Sequence, residues 1–292
     1  MRRLARQVGI AVLLVWAATS IILLAMQFAP ARQERQQPHG LDMSALARYV
    51  DDFGHLLGGD LGRSLKDGDS VARKIGLRLP RTLELIGFAT LLALLIGVPA
   101  GLFAVIGHHE TVDRIAAWSS AFGLALPAFL LATLLAMYGV PAGDDVAWSD
   151  DALGHLSLLA LPALALALGL AATVFRITRT AALHVTQRDF VRTARAKGLG
   201  LPRILLHHVL RNALVPALTV FARYLGTLLG ATVLVEYAFN YPGLLGPLIE
   251  ASNARDYPMV AGIVLAGTVL FVVLNLAIEL LNAALDPRVG AV

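Results

Sequence analysis

The sequence predicts an all-α integral membrane fold with six transmembrane helices. Three observations carry that reading: 57% of the 292 residues are hydrophobic, the mean hydropathy is +0.71, and the charges gather in short segments between long uncharged runs. A chain this apolar cannot present a polar surface to water, whereas a bilayer core accepts roughly 20 apolar residues in helix. Cysteine is absent, which excludes disulfides, thiolate metal sites and thiol nucleophiles. The formal charge of +4 is explained by topology, since no nucleic-acid recognition motif accompanies it.

The spans follow in order. Residues 8–28 begin the series within an N-terminal segment 1–30. Its basic start and Ala29-Pro30-Ala31 also resemble a secretory signal with a cleavage site, but the apolar run is too long for a signal core, so a retained helix is expected. An outer segment of mixed charge occupies 31–82, and 83–292 forms a five-helix body with runs at 83–106, 115–140, 153–175, 217–235 and 259–285. Gly97, Pro99, Gly101, Pro127, Pro162 and Gly169 interrupt these runs, as membrane helices tolerate when neighbours satisfy the freed backbone groups. Gly226-x-x-x-Gly230 in the fifth run would let another helix approach closely, with packing inside the chain the ordinary expectation.

Arginine and lysine placement sets the orientation. With Arg2, Arg3 and Arg6 in the cytoplasm, alternation puts the 176–216 loop on the same side. That loop carries Arg176, Arg179, Arg188, Arg192, Arg195, Lys197, Arg203 and Arg211 against Asp189 alone. The 141–151 loop falls outside with Asp144, Asp145, Asp150 and Asp151. Both termini are then cytoplasmic.

Several chemistries are excluded or disfavoured. No G-x-x-x-x-G-K-[ST] occurs; around Lys197 the order is A-K-G-L-G, with lysine before glycine. His108-His109 and His207-His208 are adjacent pairs whose side chains point about 100° apart on a helix, so neither chelates a metal by itself. No H-E-x-x-H or G-x-S-x-G suggests hydrolysis. Polar groups inside the spans are few: Arg223 in the fifth, and Asn275, Glu279 and Asn282 on one face of the sixth. Arg223 and Glu279 stand at matching depths from the cytoplasmic ends of their helices, which makes them a candidate intramembrane pair.

The segment Asp189-Phe190-Val191-Arg192-Thr193-Ala194-Arg195-Ala196-Lys197-Gly198-Leu199, continuing through His208 and Arg211-Asn212-Ala213-Leu214 to Pro216, resembles the cytoplasmic "EAA" loop of ABC-importer permeases, here 188–216. More narrowly, it is similar to the dipeptide, oligopeptide and nickel permease family. Gly59-Asp60-Leu61-Gly62 with Ser64, then Leu79-Pro80 and Thr82-Leu83-Glu84-Leu85, resemble that family's outer segment and the start of its second helix. Glu236, Phe239, Pro242-Gly243, Arg255-Asp256-Tyr257-Pro258 and Asp286-Pro287-Arg288 follow in the family's order. The chain departs from the pattern with Arg192 where the broader family has glutamate and Thr193 where it has alanine. It also departs with Leu244-Leu245-Gly246-Pro247 after the Pro-Gly, and with a short 29–42 region lacking Gly-Asp-Pro.

The resemblance implies a type I ABC importer permease fold with a cytoplasmic coupling helix, in a bacterial inner membrane. It implies a chain with no bond chemistry and no cofactor of its own, ATP and magnesium being bound by separate ATPase subunits or domains. Its expected partners are a second homologous permease, two ATPase subunits and an external substrate-binding protein. The expected cargo is a dipeptide or oligopeptide, with nickel or a metal chelate as the alternative; an ATPase-independent carrier or channel would leave the loop unexplained. Asp189, Arg192, Ala194, Arg195, Lys197, Gly198 and Leu199 are the expected ATPase-coupling residues, and Asp60, Gly62, Glu236, Phe239, Pro242, Gly243, Asp256, Tyr257 and Pro258 the periplasmic motifs. On a helix, Arg188, Arg192 and Arg195 share one face and Val191, Ala194 and Gly198 another, with Pro202 redirecting the chain. The expectation is that the small apolar face enters a groove on the ATPase while the arginines meet acids or lipid headgroups.

Overall fold

The computed structural model describes residues 2–27, 50–51, 53–55, 58–105, 118, 121, 126–138, 150–205 and 210–285. Its principal helices are α1 (Arg2–Gln27), α2 (Val71–Phe103), α3 (Ala128–Tyr138), α4 (Ala152–Thr186), α5 (Asp189–Ala196), α6 (Leu201–Ile204), α7 (Leu210–Ala238), α8 (Pro247–Asn253) and α9 (Tyr257–Leu285). Among the described residues the sole extended pairing is an isolated bridge between Arg63 and Ser70.

Three of the described helices are long and apolar enough to cross a membrane: α2, α4 and the Tyr257–Leu280 part of α9. Shorter apolar stretches at Val12–Leu24, Ala128–Tyr138 and Gly226–Ala238 lie in the first, third and fifth runs read from the sequence. Large apolar side chains such as Val12, Leu13, Leu95, Phe103 and Val273 point outward, as a lipid-facing surface requires and a water-facing one does not tolerate in quantity. At about 1.5 Å per residue, the 33 residues of α2 and 35 of α4 exceed a bilayer core in length. The extra length of α2 is at its start. The apolar run begins at Leu83, but the helix begins at Val71, because Arg73, Lys74, Arg78 and Arg81 interrupt apolarity without interrupting helicity.

The chain divides into two compact units, Met1–Thr82 with Pro242–Leu274, and Leu83–Tyr241 with Asn275–Val292. In the second unit α4 packs on both α3 and α7, and α3 packs on α7. It also receives the glycines of α2 in close contact. A Cβ at Gly97 would stand 2.7 Å from the Ala171 carbonyl oxygen, and one at Gly101 2.8 Å from that of Phe175 and from Thr178 Cβ. Gly97-x-x-x-Gly101 is therefore a helix-approach motif of this fold. At Gly226-x-x-x-Gly230 the ordinary expectation of packing inside the chain is not met among the described residues: both glycines are exposed, and a Cβ at Gly230 would meet nothing within 4 Å.

Among the described residues three helices end in the same way, with a left-handed residue one place past the cap. At the end of α7, Asn240 has φ 49, the Tyr241 amide donates to the Glu236 carbonyl at 2.9 Å and the Asn240 amide to that of Tyr237 at 3.2 Å. At the end of α8, Arg255 has φ 55, and the Asp256 amide donates to the Ala251 carbonyl at 2.8 Å. The third is α5, where glycine occupies the position.

Candidate functional site

The basic loop is built outward from the end of α4. The carbonyl of Arg188 accepts from the amides of Val191 (3.0 Å) and Arg192 (3.3 Å), which starts α5. Asp189 lies in its first turn, where the helix dipole favours an acid. The helix has eight residues, too few to persist alone in water, so packing must hold it. Val191 (0% exposed) and Ala194 (6%) supply that packing, in one cluster with Leu102, Val105, Ala182, Ile204 and Leu205. Leu199 packs at the edge of this cluster.

This corrects the expected orientation of the helix. Val191 and Ala194 of the small apolar face are turned into the chain's own core, because burial there is what stabilises so short a helix, while Gly198 stays exposed. Asp189, Phe190, Arg192, Thr193 and Lys197 face outward. The side chain of Arg195 is outside the described residues.

Gly198 ends α5. Its φ is +79, and the Leu199 amide donates to the Ala194 carbonyl at 3.2 Å. A side chain here would meet nothing within 4 Å. Within this chain the glycine is favoured by backbone conformation and not by crowding, although Asn240 and Arg255 hold the same hand at the ends of α7 and α8.

A second locus joins three of the motif segments within the first unit. The Asp60 carboxylate accepts from the Gly62 amide at 2.9 Å, closing an Asx turn in which Gly62 takes φ +75. The Gly62 carbonyl then accepts from the amide of Val71 at 3.1 Å, where α2 begins. Ser64 Oγ donates to Asp256 Oδ2 at 2.5 Å, and the Leu65 amide to Asp256 Oδ1 at 3.0 Å. Asp256 also caps α9 by accepting from the Met259 amide at 3.4 Å. Tyr257 and Pro258 form the first turn of α9, where a missing proline N–H costs nothing. At Pro242-Gly243, Arg78 donates to the Gly243 carbonyl at 3.3 Å, and the Leu244 amide donates to Thr82 Oγ1 at 2.7 Å. Glu236 and Phe239 are buried at the end of α7 in the second unit.

One buried polar contact was not anticipated from the sequence. His155 Nε2 and Glu84 Oε1 lie 2.8 Å apart between α4 and α2, with His155 fully buried. Each is an ionisable residue at the start of an apolar run, and such residues call for a partner; that signal was present. Glu279 is exposed on α9, while the side chain of Arg223 and the pairs His108-His109 and His207-His208 lie outside the described residues, as do Pro216's side chain and Asp286-Pro287-Arg288.

Residues 97–291 match the family described as binding-protein-dependent transport system inner membrane component. The chain is 34% identical over 267 residues to the oligopeptide transport system permease protein AppB of Bacillus subtilis, covering 88% of this chain and 84% of that protein. It is 33% identical over 255 residues to the glutathione transport system permease protein GsiC of Salmonella typhi, and 34% identical over 255 residues to that of Pectobacterium atrosepticum. In both cases 87% of this chain and 82% of the relative are covered. With its apolar helices and a match over two thirds of its length, the chain belongs to the family of inner membrane components of binding-protein-dependent transport systems: a multi-pass membrane transport subunit and not an enzyme.

Proposed function

We propose that this chain is a permease subunit of an ATP-driven importer of dipeptides or oligopeptides in a bacterial inner membrane. It has six spans, cytoplasmic termini, an external segment at 31–82, a five-helix body at 83–292 and α5 as its coupling helix. It works with a second homologous permease, two ATPase subunits or domains that bind ATP and magnesium, and an external binding protein. The chain itself holds no cofactor. Peptide is preferred to a metal chelate because the relatives above are named for oligopeptide and for glutathione, itself a small peptide.

The observation that carries the reading is the way α5 is seated. Val191 and Ala194 lock it against Leu102 and Val105 at the end of α2 and Ala182 in α4. Close-packed interiors transmit displacement instead of absorbing it, so a push on α5 moves the ends of two long helices. ATP-driven motion of a partner thereby becomes a change of access between the two sides of the membrane.

The test is uptake of labelled peptide by the reconstituted complex. Gly198→Asp, which forces a β-substituted residue into φ +79, should abolish uptake and weaken ATPase retention while membrane insertion is unchanged. Wild-type uptake with normal ATPase co-purification would remove α5 from the coupling path.

A further inference from the structure

We infer that the ATPase surface receiving α5 is acidic. The inference rests on the reading of α5 as the coupling helix and adds the chemistry of what it meets. With Val191 and Ala194 committed to the chain's own core, Ala196 and Gly198 are the small residues left exposed, too little apolar surface to fill a groove on a partner. What it presents is Arg192, with 80% of its side chain exposed, together with Lys197, Thr193 and the half-exposed Phe190. Arg188 and Arg203 stand exposed on either side of it in sequence.

Asp189 is the one acid between residues 176 and 216, 3.9 Å from Arg192. Both side chains are solvated, so this pair holds weakly and leaves the face cationic. Position 192 is also where the broader permease pattern carries glutamate, so the sign of the presented charge is reversed. Complementary interfaces match potential to potential, and like charges brought together cost affinity and specificity. A partner fitted to this face therefore carries carboxylates opposite Arg192 and Lys197.

Anionic lipid is the competing counter-charge. A helix lying on a bilayer sinks its apolar face toward the acyl chains while its basic residues reach the headgroups. In α5 that apolar face is already spent inside the chain, and the remaining face carries Phe190 as its single large apolar residue. The geometry favours protein.

The experiment uses the intact complex in nanodiscs. Arg192→Glu with Lys197→Glu should lower ATPase retention about tenfold at low ionic strength, with the deficit fading toward roughly 1 M salt as screening removes both attraction and repulsion. A parallel Thr193→Cys, the only cysteine in the chain, labelled with a benzophenone maleimide, should photo-cross-link to the ATPase whatever side chains face it. Cross-linking together with unaltered retention of the charge-reversed complex would overturn the acidic surface and leave docking intact. Absence of the cross-link would remove the docking reading itself. A retention defect confined to discs containing anionic lipid would assign the charges to headgroups and overturn the proposal.

Discussion

Ser64 and Asp256 stand 192 positions apart in the chain and share a buried hydrogen bond of 2.5 Å. One carboxylate thus closes the loop between residues 58 and 70 and begins α9, since Asp256 also accepts from the amides of Leu65 and Met259. Two sequence motifs that read as separate turns form one structural element.

Asp256→Ala should be strongly destabilising, because it strands the Ser64 hydroxyl and two amides at a nearly water-free position. Hydrogen bonds to a charged group contribute about 1.5–3 kcal/mol, and a lost cap about 1 kcal/mol. Thermal unfolding of the purified protein in detergent measures the loss. Ser64→Ala should cost less, and the double variant less than the sum of the two, as expected for residues sharing one contact.

The glycines of α2 and α7 should respond oppositely to alanine. Gly101→Ala drives a methyl into the Phe175 carbonyl and Thr178, and overpacking of this kind costs about 1–3 kcal/mol. Gly230→Ala adds a methyl to open space on an exposed helix face, where alanine exceeds glycine in helix propensity by up to about 1 kcal/mol. Equal melting shifts of the same sign would contradict the packing described.

Low pH should loosen the loop that contains Asp67. A hydrogen bond from Lys74, then one from the Asp69 amide, hold its pKa at about 2 against an ordinary value of 3.8. A carboxyl lowered on folding contributes stability that is fully present above 3.8 and is lost as pH falls toward 2. Lys74→Gln should raise the Asp67 pKa toward the ordinary value, as read from carboxyl NMR titration, and bring the protease sensitivity of the loop to higher pH. An unchanged titration would show that the contact with Lys74 does not form in solution.

Orientation can be read with single cysteines. Lys66→Cys, at an exposed position, should react with an impermeant maleimide added from outside, and Thr193→Cys should react only after the cytoplasmic side is opened. Ser64 is unsuited to this measurement because it is buried. Reversed labelling would place α5 on the wrong side for an ATPase.

The parts of the fold carried by composition were legible. The apolar runs at 83–106, 153–175 and 259–285 are long, nearly uncharged and unlike anything in a water-soluble protein, and each falls on a long helix. Gly198 reads in sequence as part of the small apolar face of a helix running toward Pro202, whereas α5 ends at Ala196 and Gly198 closes it in the left-handed conformation. The inward turn of Val191 and Ala194 was not legible either. Helical periodicity defines two faces of α5 but not what each face meets, and the decisive neighbours, Leu102 and Val105, are remote in sequence. Gly97-x-x-x-Gly101 and Gly226-x-x-x-Gly230 look alike as text, yet the first has α4 against it, while among the described residues a Cβ at Gly230 meets nothing within 4 Å. The contact between His155 and Glu84 likewise required knowing that α2 and α4 run side by side.

The demand at Gly198 is one of handedness. Its φ of +79, with nothing within 4 Å of where an L side chain would begin, describes a site whose backbone disfavours L-alanine by about 1–2 kcal/mol and suits its mirror image. A chain carrying D-alanine there, made by semisynthesis, should keep the end of α5 intact while adding one methyl group to an exposed turn. With thermal unfolding unaltered, a loss of ATPase retention would report a partner at this turn.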